Sequence, residues 1–164
     1  MTLEFSGCSQ EGNGSGCQVG GEGETSGTFK TYPLKMELAY TSTGRSGDMA
    51  VLFTPVTAKG EKLALIKFHG GSNCEGSELS IVGAMAADIE SSSPPIEVGH
   101  EPAAAKTLQI SFPNGEHQIR EVWLEEKGSL VKKYVEPVMK GHVLKVSGTL
   151  QVELTSGANW GVFT

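Results

Sequence analysis

Gly76-Ser77-Glu78-Leu79-Ser80-Ile81-Val82-Gly83-Ala84-Met85-Ala86-Ala87-Asp88-Ile89-Glu90-Ser91 is the stretch that decides the fold. Leu79, Ile81, Gly83, Met85 and Ile89 share one face of an extended chain, where side chains alternate with period two. A later stretch repeats the pattern in phase: Gly141-His142-Val143-Leu144-Lys145-Val146-Ser147-Gly148-Thr149-Leu150-Gln151-Val152-Glu153-Leu154-Thr155-Ser156. Leu79 aligns with Leu144, Ile81 with Val146, Gly83 with Gly148, Met85 with Leu150 and Ile89 with Leu154. In the second copy the opposite face carries Lys145, Ser147, Thr149, Gln151 and Glu153. One apolar and one wet face is the pattern of an antiparallel sheet with one side on the core. The matched glycine removes a side chain from the apolar face, so a strand kinked there can turn a corner between two sheets. The pattern predicts two long glycine-kinked strands from an internal pseudo-repeat, with halves at 28–91 and 104–156.

Outward from these stretches the chain reads as short strands joined by turns. Leu34, Met36, Leu38 and Tyr40 alternate with Lys35, Glu37, Ala39 and Thr41. Further strands are expected over 49–54, 63–68, 108–112, 119–124 and 130–138. Thr43-Gly44-Arg45-Ser46-Gly47, Ala58-Lys59-Gly60-Glu61 and Pro113-Asn114-Gly115-Glu116 read as turns. Residues 6–27, rich in Gly, Ser and Glu, are expected to be an irregular loop. Residues 91–106, with Pro94-Pro95, are expected to be a loop or linker. No helix of ordinary length is predicted. A parallel sheet would need crossovers of a dozen or more residues between its strands, and only 91–106 is long enough. The expectation is a single all-β domain over 1–164, an antiparallel β-sandwich or a closed or partly open β-barrel.

The 164 residues suit one core, and 22 glycines point to turns rather than helices. A net charge of −6 argues against nucleic acid, which demands clustered Lys and Arg. The longest basic run, Lys132-Lys133, reads as an exposed strand face. No stretch approaches the roughly 20 apolar residues of a membrane span. No charged-then-apolar leader opens the chain, and a strand begins almost directly after Met1. The expectation is a targeting segment removed upstream.

Three cysteines bear on the compartment. Cys8 and Cys17 flank a short Gly- and Ser-rich loop that a disulfide would close, stabilising by ~2–3 kcal/mol. This favours an oxidising environment and an extracellular or cell-surface location. Cys74 is left over in Gly70-Gly71-Ser72-Asn73-Cys74-Glu75-Gly76, either free or paired between chains.

Chemistry-bearing motifs are sparse. His69, His100, His117 and His142 do not pair with each other, a Cys or an acid at zinc-like spacing, and read as surface residues. No Gly-x-Ser-x-Gly elbow occurs, and Cys74 with His69 lacks an orienting third group. The glycine-rich 12–27 segment lacks the Gly-Lys-Ser/Thr of a phosphate loop. No Asp-x-Asp calcium loop is present. No catalytic residue, metal or cofactor is assigned. The aromatics carry the ligand-binding expectation: Trp160, between Asn159 and Gly161, and Trp123, with Val122 and Leu124 facing the other way. An exposed Trp on a β scaffold can stack on a sugar ring or dock a partner.

Phe5-Ser6-Gly7-Cys8, Cys17, Thr31-Tyr32-Pro33-Leu34-Lys35-Met36-Glu37-Leu38-Ala39-Tyr40, Val51-Leu52-Phe53-Thr54-Pro55, Phe68, Cys74 and Val82-Gly83 together carry a resemblance over residues 3–90. The chain resembles uncharacterised secreted β-rich proteins of soil actinobacteria. Those relatives place a Cys almost directly after the strand Phe, whereas Cys74 lies six positions beyond Phe68. The resemblance implies export and no activity. It transfers no catalytic residue.

The sequence therefore predicts a non-catalytic extracellular protein, structural or self-assembling, with itself as partner. The alternative is a secreted module for a glycan or cell-wall polymer. A secreted hydrolase or inhibitor is the remote third reading.

Overall fold

A computed structural model describes residues 1–8, 17–23, 27–43, 49–56, 60–69, 78–92, 107–112, 119–144 and 148–153. Most of the turn read at 43–47, half of that at 58–61, all of that at 113–116, most of the 91–106 linker, and the C-terminal Trp160 to Phe163 tail lie outside them.

The fold is all-β and antiparallel. The strands are β1 (Glu4–Phe5), β2 (Gln18–Gly21), β3 (Phe29–Lys30), β4 (Leu34–Tyr40), β5 (Met49–Pro55), β6 (Lys62–His69) and β7 (Glu78–Val82). They continue with β8 (Met85–Ser92), β9 (Thr107–Phe112), β10 (Glu121–Glu126), β11 (Ser129–Tyr134), β12 (Val138–Met139), β13 (His142–Val143) and β14 (Gly148–Glu153). They form three sheets: β1-β3, the seven-stranded β11-β10-β4-β5-β8-β9-β14, and the five-stranded β13-β12-β7-β6-β2. Among the described residues neither large sheet closes on itself, so the fold is consistent with the sandwich and not with the closed barrel.

The chain groups into two compact units. The first comprises Met1–Lys35, Phe53–Ala84 and Glu136–Leu144. Its buried side chains include Leu3, Val19, Leu34, Phe53, Leu63, Ile66 and Ile81. The second comprises Met36–Leu52, Met85–Val135 and Lys145–Thr164, with Val51, Leu52, Met85, Ile110, Phe112 and Val122 buried. Ala39, Ala50 and Ala87 are fully buried in the second unit.

The first of the two stretches that opened the sequence reading leaves one sheet for the other at Gly83, interrupted rather than kinked, while residues 145–147 of the second lie outside the described residues. β7 lies in the five-stranded sheet and β8 in the seven-stranded one, with Gly83-Ala84 between them. β13 lies in the five-stranded sheet and β14, which opens on Gly148, in the seven-stranded one. In the five-stranded sheet a single strand, β12, separates β7 from β13. In the seven-stranded sheet a single strand, β9, separates β8 from β14. Antiparallel pairing on both sides of β12 and of β9 makes the two copies run in the same direction in each sheet.

Gly83 has φ +102, and its N–H donates to the Glu61 carbonyl at 2.9 Å. A Cβ at this position would run into the Glu136 carbonyl oxygen, with the Glu136 carbon 3.2 Å and the Pro137 Cα 3.7 Å away. That contact explains a further departure from the sequence reading. The strand expected over 130–138 ends at Tyr134, because Val135, Glu136 and Pro137 carry the chain from the seven- to the five-stranded sheet. Pro137 has no N–H to give a ladder. The segment 6–27, expected to be irregular, contains strand β2. Gln18-Val19-Gly20-Gly21 has little side-chain signal, but it pairs along β6 through Gln18↔His69 and Val19↔Phe68.

These facts separate the two matched glycines. Gly83→Ala is expected to cost about 2–4 kcal/mol in urea unfolding, since it adds a backbone clash to a positive φ. Gly148, at φ +146 with nothing within 4 Å of a Cβ, is strained by conformation alone. Gly148→Ala should cost only about 1–2 kcal/mol. Equal costs would contradict this account of the crossover.

Candidate functional site

The turn between β10 and β11 positions the site. Lys127 and Gly128 have φ 52 and φ 81, and Glu126 pairs with Ser129 across them. Two central residues with positive φ match the twist of a tight two-residue hairpin. The turn fixes the register: Glu125↔Leu130, Trp123↔Lys132 and Glu121↔Tyr134. Directly paired residues project from the same side of an antiparallel pair. Trp123, Lys132, Glu121 and Tyr134 therefore share one face. The face behind them holds Val122 and Leu124, both buried.

Lys132 holds this cluster together. Its Nζ lies 2.7 Å from Glu121 Oε1. It also sits 5.6 Å from the Trp123 ring centroid and 5.0 Å from that of Tyr134. An ammonium over two aromatic faces is attracted by both ring quadrupoles. The hydrogen bond from Lys132 to the Glu121 carboxylate is the main cause holding the ammonium pKa above its ordinary value, against a smaller opposing effect of desolvation. Tyr134 remains 75% exposed. Tyr40 of β4 pairs with Trp123 on its other side. Tyr40 is 3% exposed, and its hydroxyl has no hydrogen-bond partner among the described residues. The result is two aromatic rings on adjacent strands, Trp123 and Tyr134, with the lysine and the carboxylate beside them, while the Tyr40 ring is buried. Such a surface can stack a flat apolar ring face and hydrogen-bond its rim.

The structure brings one of the two predicted ligand-binding tryptophans, Trp123, into a cluster. Trp160 lies outside the described residues, as does Cys74. Sequence reasoning treated Lys132-Lys133 as a plain solvated strand and did not single out Tyr134 or Glu121. The signal was Lys127-Gly128. Read as a two-residue turn, it places Trp123 opposite Lys132 by counting.

The expected Cys8–Cys17 disulfide is not formed, because Cys8 carries a free thiol. The reason is register. The Cys8 N–H donates to the Gly27 carbonyl at 2.9 Å, and the Cys8 carbonyl accepts from Val19 N–H at 3.4 Å. This lays Cys8 alongside Val19, not Cys17. Cys8 is half-buried, and that burial pushes its thiol pKa up.

Other features are structural. Phe5 and Phe29, paired in the two-stranded sheet, stack with centroids 4.8 Å apart. His69 and His142 are exposed strand-end residues. A cleft of about 180 Å³ in the first unit is lined by Glu22, Lys30, Thr31, Tyr32 and Leu65. It is smaller than the ~300 Å³ at which ordinary ligand pockets begin. Its Thr31 hydroxyl already accepts from Leu3 N–H at 2.9 Å. Among the described residues, no three His, Cys, Asp or Glu side chains gather to hold a metal ion, and no helix is long and apolar enough to cross a membrane. No protein-family model, curated protein or solved structure shows significant similarity to the chain.

The lysine makes a pH prediction. A raised lysine pKa means the pairing is fully present below the ordinary lysine range and is lost as pH rises through the raised value. Glu121→Gln removes the main cause, so the Lys132 side chain should titrate at lower pH in a carbon-13 NMR titration. An unchanged Lys132 titration would show that Glu121 does not hold the ammonium.

Proposed function

We propose that this protein is a non-catalytic extracellular module that binds glycan chains on the face formed by Trp123, Lys132 and Tyr134. The single observation carrying the proposal is Tyr134, 75% exposed on the same sheet face as Trp123, with the Lys132 ammonium over both rings. A large aromatic ring left in water is an unusual use of apolar surface and is enriched where partners dock. Pyranose rings present an apolar C–H face to an aromatic ring and hydroxyls at the rim. Glu121 supplies acceptors for those hydroxyls and Lys132 supplies donors. An extracellular location suits an extended glycan ligand.

Self-association through a sheet edge is the second reading. Val143, 42% exposed on the edge strand β13, favours it. Lys132 and Lys133 on the edge strand β11 oppose it there, since lysines blunt edge-to-edge pairing.

The test is a panel of soluble oligosaccharides and insoluble cell-wall polymers, read by tryptophan fluorescence and pull-down. At least one glycan class should bind. Tyr134→Ala and Trp123→Ala should each weaken binding about tenfold or more. Lys67→Ala, which breaks an exposed ion pair with Glu78 in the other large sheet, should leave binding unchanged. Absence of binding across the panel, with concentration-dependent oligomers in gel filtration, would replace the proposal with self-assembly.

A further inference from the structure

The hairpin register decides which backbone groups of β11 are in use. Glu126 and Ser129 close the two-residue turn, and Val135 N–H donates to the Arg120 carbonyl at 2.8 Å. In an antiparallel pair, hydrogen-bonded couples alternate with unbonded ones. The bonded couples are therefore Glu126↔Ser129, Leu124↔Val131, Val122↔Lys133 and Arg120↔Val135. The N–H and C=O groups of Leu130, Lys132 and Tyr134 point the other way, out of the sheet edge. β11 is the outermost strand of its sheet, and these backbone groups have no partner among the described residues.

The same three residues carry their side chains on the face of Trp123. Leu130 pairs with Glu125, Lys132 with Trp123 and Tyr134 with Glu121. Tyr134 and Lys132 are exposed and Leu130 is half-buried. An open backbone row and an exposed ring thus run along one border. From Leu130 to Tyr134 that border is about 13 Å long, the length of a short oligosaccharide rather than of a single sugar ring.

Charge narrows the ligand. The strand residues on this face bring two carboxylates, Glu121 and Glu125, and one ammonium, Lys132. Lys132 is already held by Glu121 at 2.7 Å. The neighbouring Lys133 pairs with Val122 on the opposite side and is held by Glu126 at 2.9 Å. A uronate or a sulfate would meet more negative than positive charge here, on a chain whose net charge is −6. A second polypeptide strand is disfavoured at this edge by the two lysines. A neutral sugar meets neither obstacle. Its hydroxyls both donate and accept, so they suit a mixed row of N–H and C=O groups.

We propose, building on the glycan reading above, that the ligand is an uncharged, linear glycan with equatorial linkages that lies along β11. One ring face rests on Tyr134, and the hydroxyls bond the open backbone groups of Leu130, Lys132 and Tyr134. Equatorial substituents leave both faces of a pyranose free of bulk, and equatorial linkages keep the chain as straight as the strand beside it. The aromatic ring supplies stacking, and the strand edge sets the direction of the chain.

Amide hydrogen exchange on the full chain, followed by NMR with cellohexaose, xylohexaose and chitohexaose as probes, tests this. In the free protein the Val131, Lys133 and Val135 amides should exchange slowly, and those of Leu130, Lys132 and Tyr134 fast. At saturation with at least one of the hexaoses, the Leu130, Lys132 and Tyr134 amides should slow about tenfold or more, with the other set unchanged. Cellouronate of the same length, which adds a carboxylate to every ring, should bind at least about tenfold more weakly than the tightest hexaose. Two results would overturn the inference while leaving a glycan site, provided that Tyr134→Ala weakens the binding: a bound hexaose that leaves those amides fast, or a preference for a charged or branched glycan. No binding by any glycan class would remove both. Slowing of the same amides with rising protein concentration and no sugar would place a second copy on β11 and also overturn it.

Discussion

The Glu136 carbonyl pressed against Gly83 is the constraint on which the rest of the structure depends. The chain passes between the two large sheets at this place in both directions: β7 leaves for β8, and β11 returns through Val135-Glu136-Pro137 to β12. The two crossings meet without room for a methyl group. A side chain there would also oppose the φ of +102 that the corner needs. β12 can lie beside β7 only because the return crossing ends next to the place where β7 stops.

The hairpin that carries the proposed binding face follows from the same geometry. β11 ends at Tyr134 because the chain must turn toward Gly83 at Val135, which is buried. That leaves Tyr134 as the last strand residue, with a ring that is exposed rather than packed. The tight Lys127-Gly128 turn sets the other end of the hairpin. Between these two limits the register has no freedom, and Lys132 falls across from Trp123. The Glu121 carboxylate holds the Lys132 ammonium, which lies over both rings. A stacking surface of this kind is preorganised, so a ligand loses less in ordering it.

How much of this was legible in the sequence depends on side-chain period. The strands β4, β5, β6 and β9 and the sheet change near Gly83 and Gly148 could be read, because alternating apolar residues and a shared glycine record a one-sided sheet and its corner. β2 could not, because two of its four residues are glycine and its pairing comes from β6. The return crossing at Val135-Glu136-Pro137 was not marked off in the sequence, because apolar residues lie on both sides of it, Leu130-Val131 before and Val138-Met139 after. The cysteine pairing misled for a different reason. Short loop closure favours Cys8 with Cys17 on entropy alone, yet hydrogen bonds to Gly27 and Val19 carry Cys8 past its expected partner. The binding face was half legible. Trp123 stood out by residue type, but Tyr134, Lys132 and Glu121 gain meaning only from a register that one two-residue turn decides.

The central claim is that a ligand meets the protein on the outward face of the β10–β11 hairpin. Amide chemical-shift mapping with a soluble oligosaccharide tests it most directly, because it locates binding without altering any residue. The account predicts perturbations concentrated at 121–125 and 130–134, with Tyr40 joining them through its pairing with Trp123. Perturbations centred on the five-stranded sheet, or spread evenly over both sheets, would contradict it.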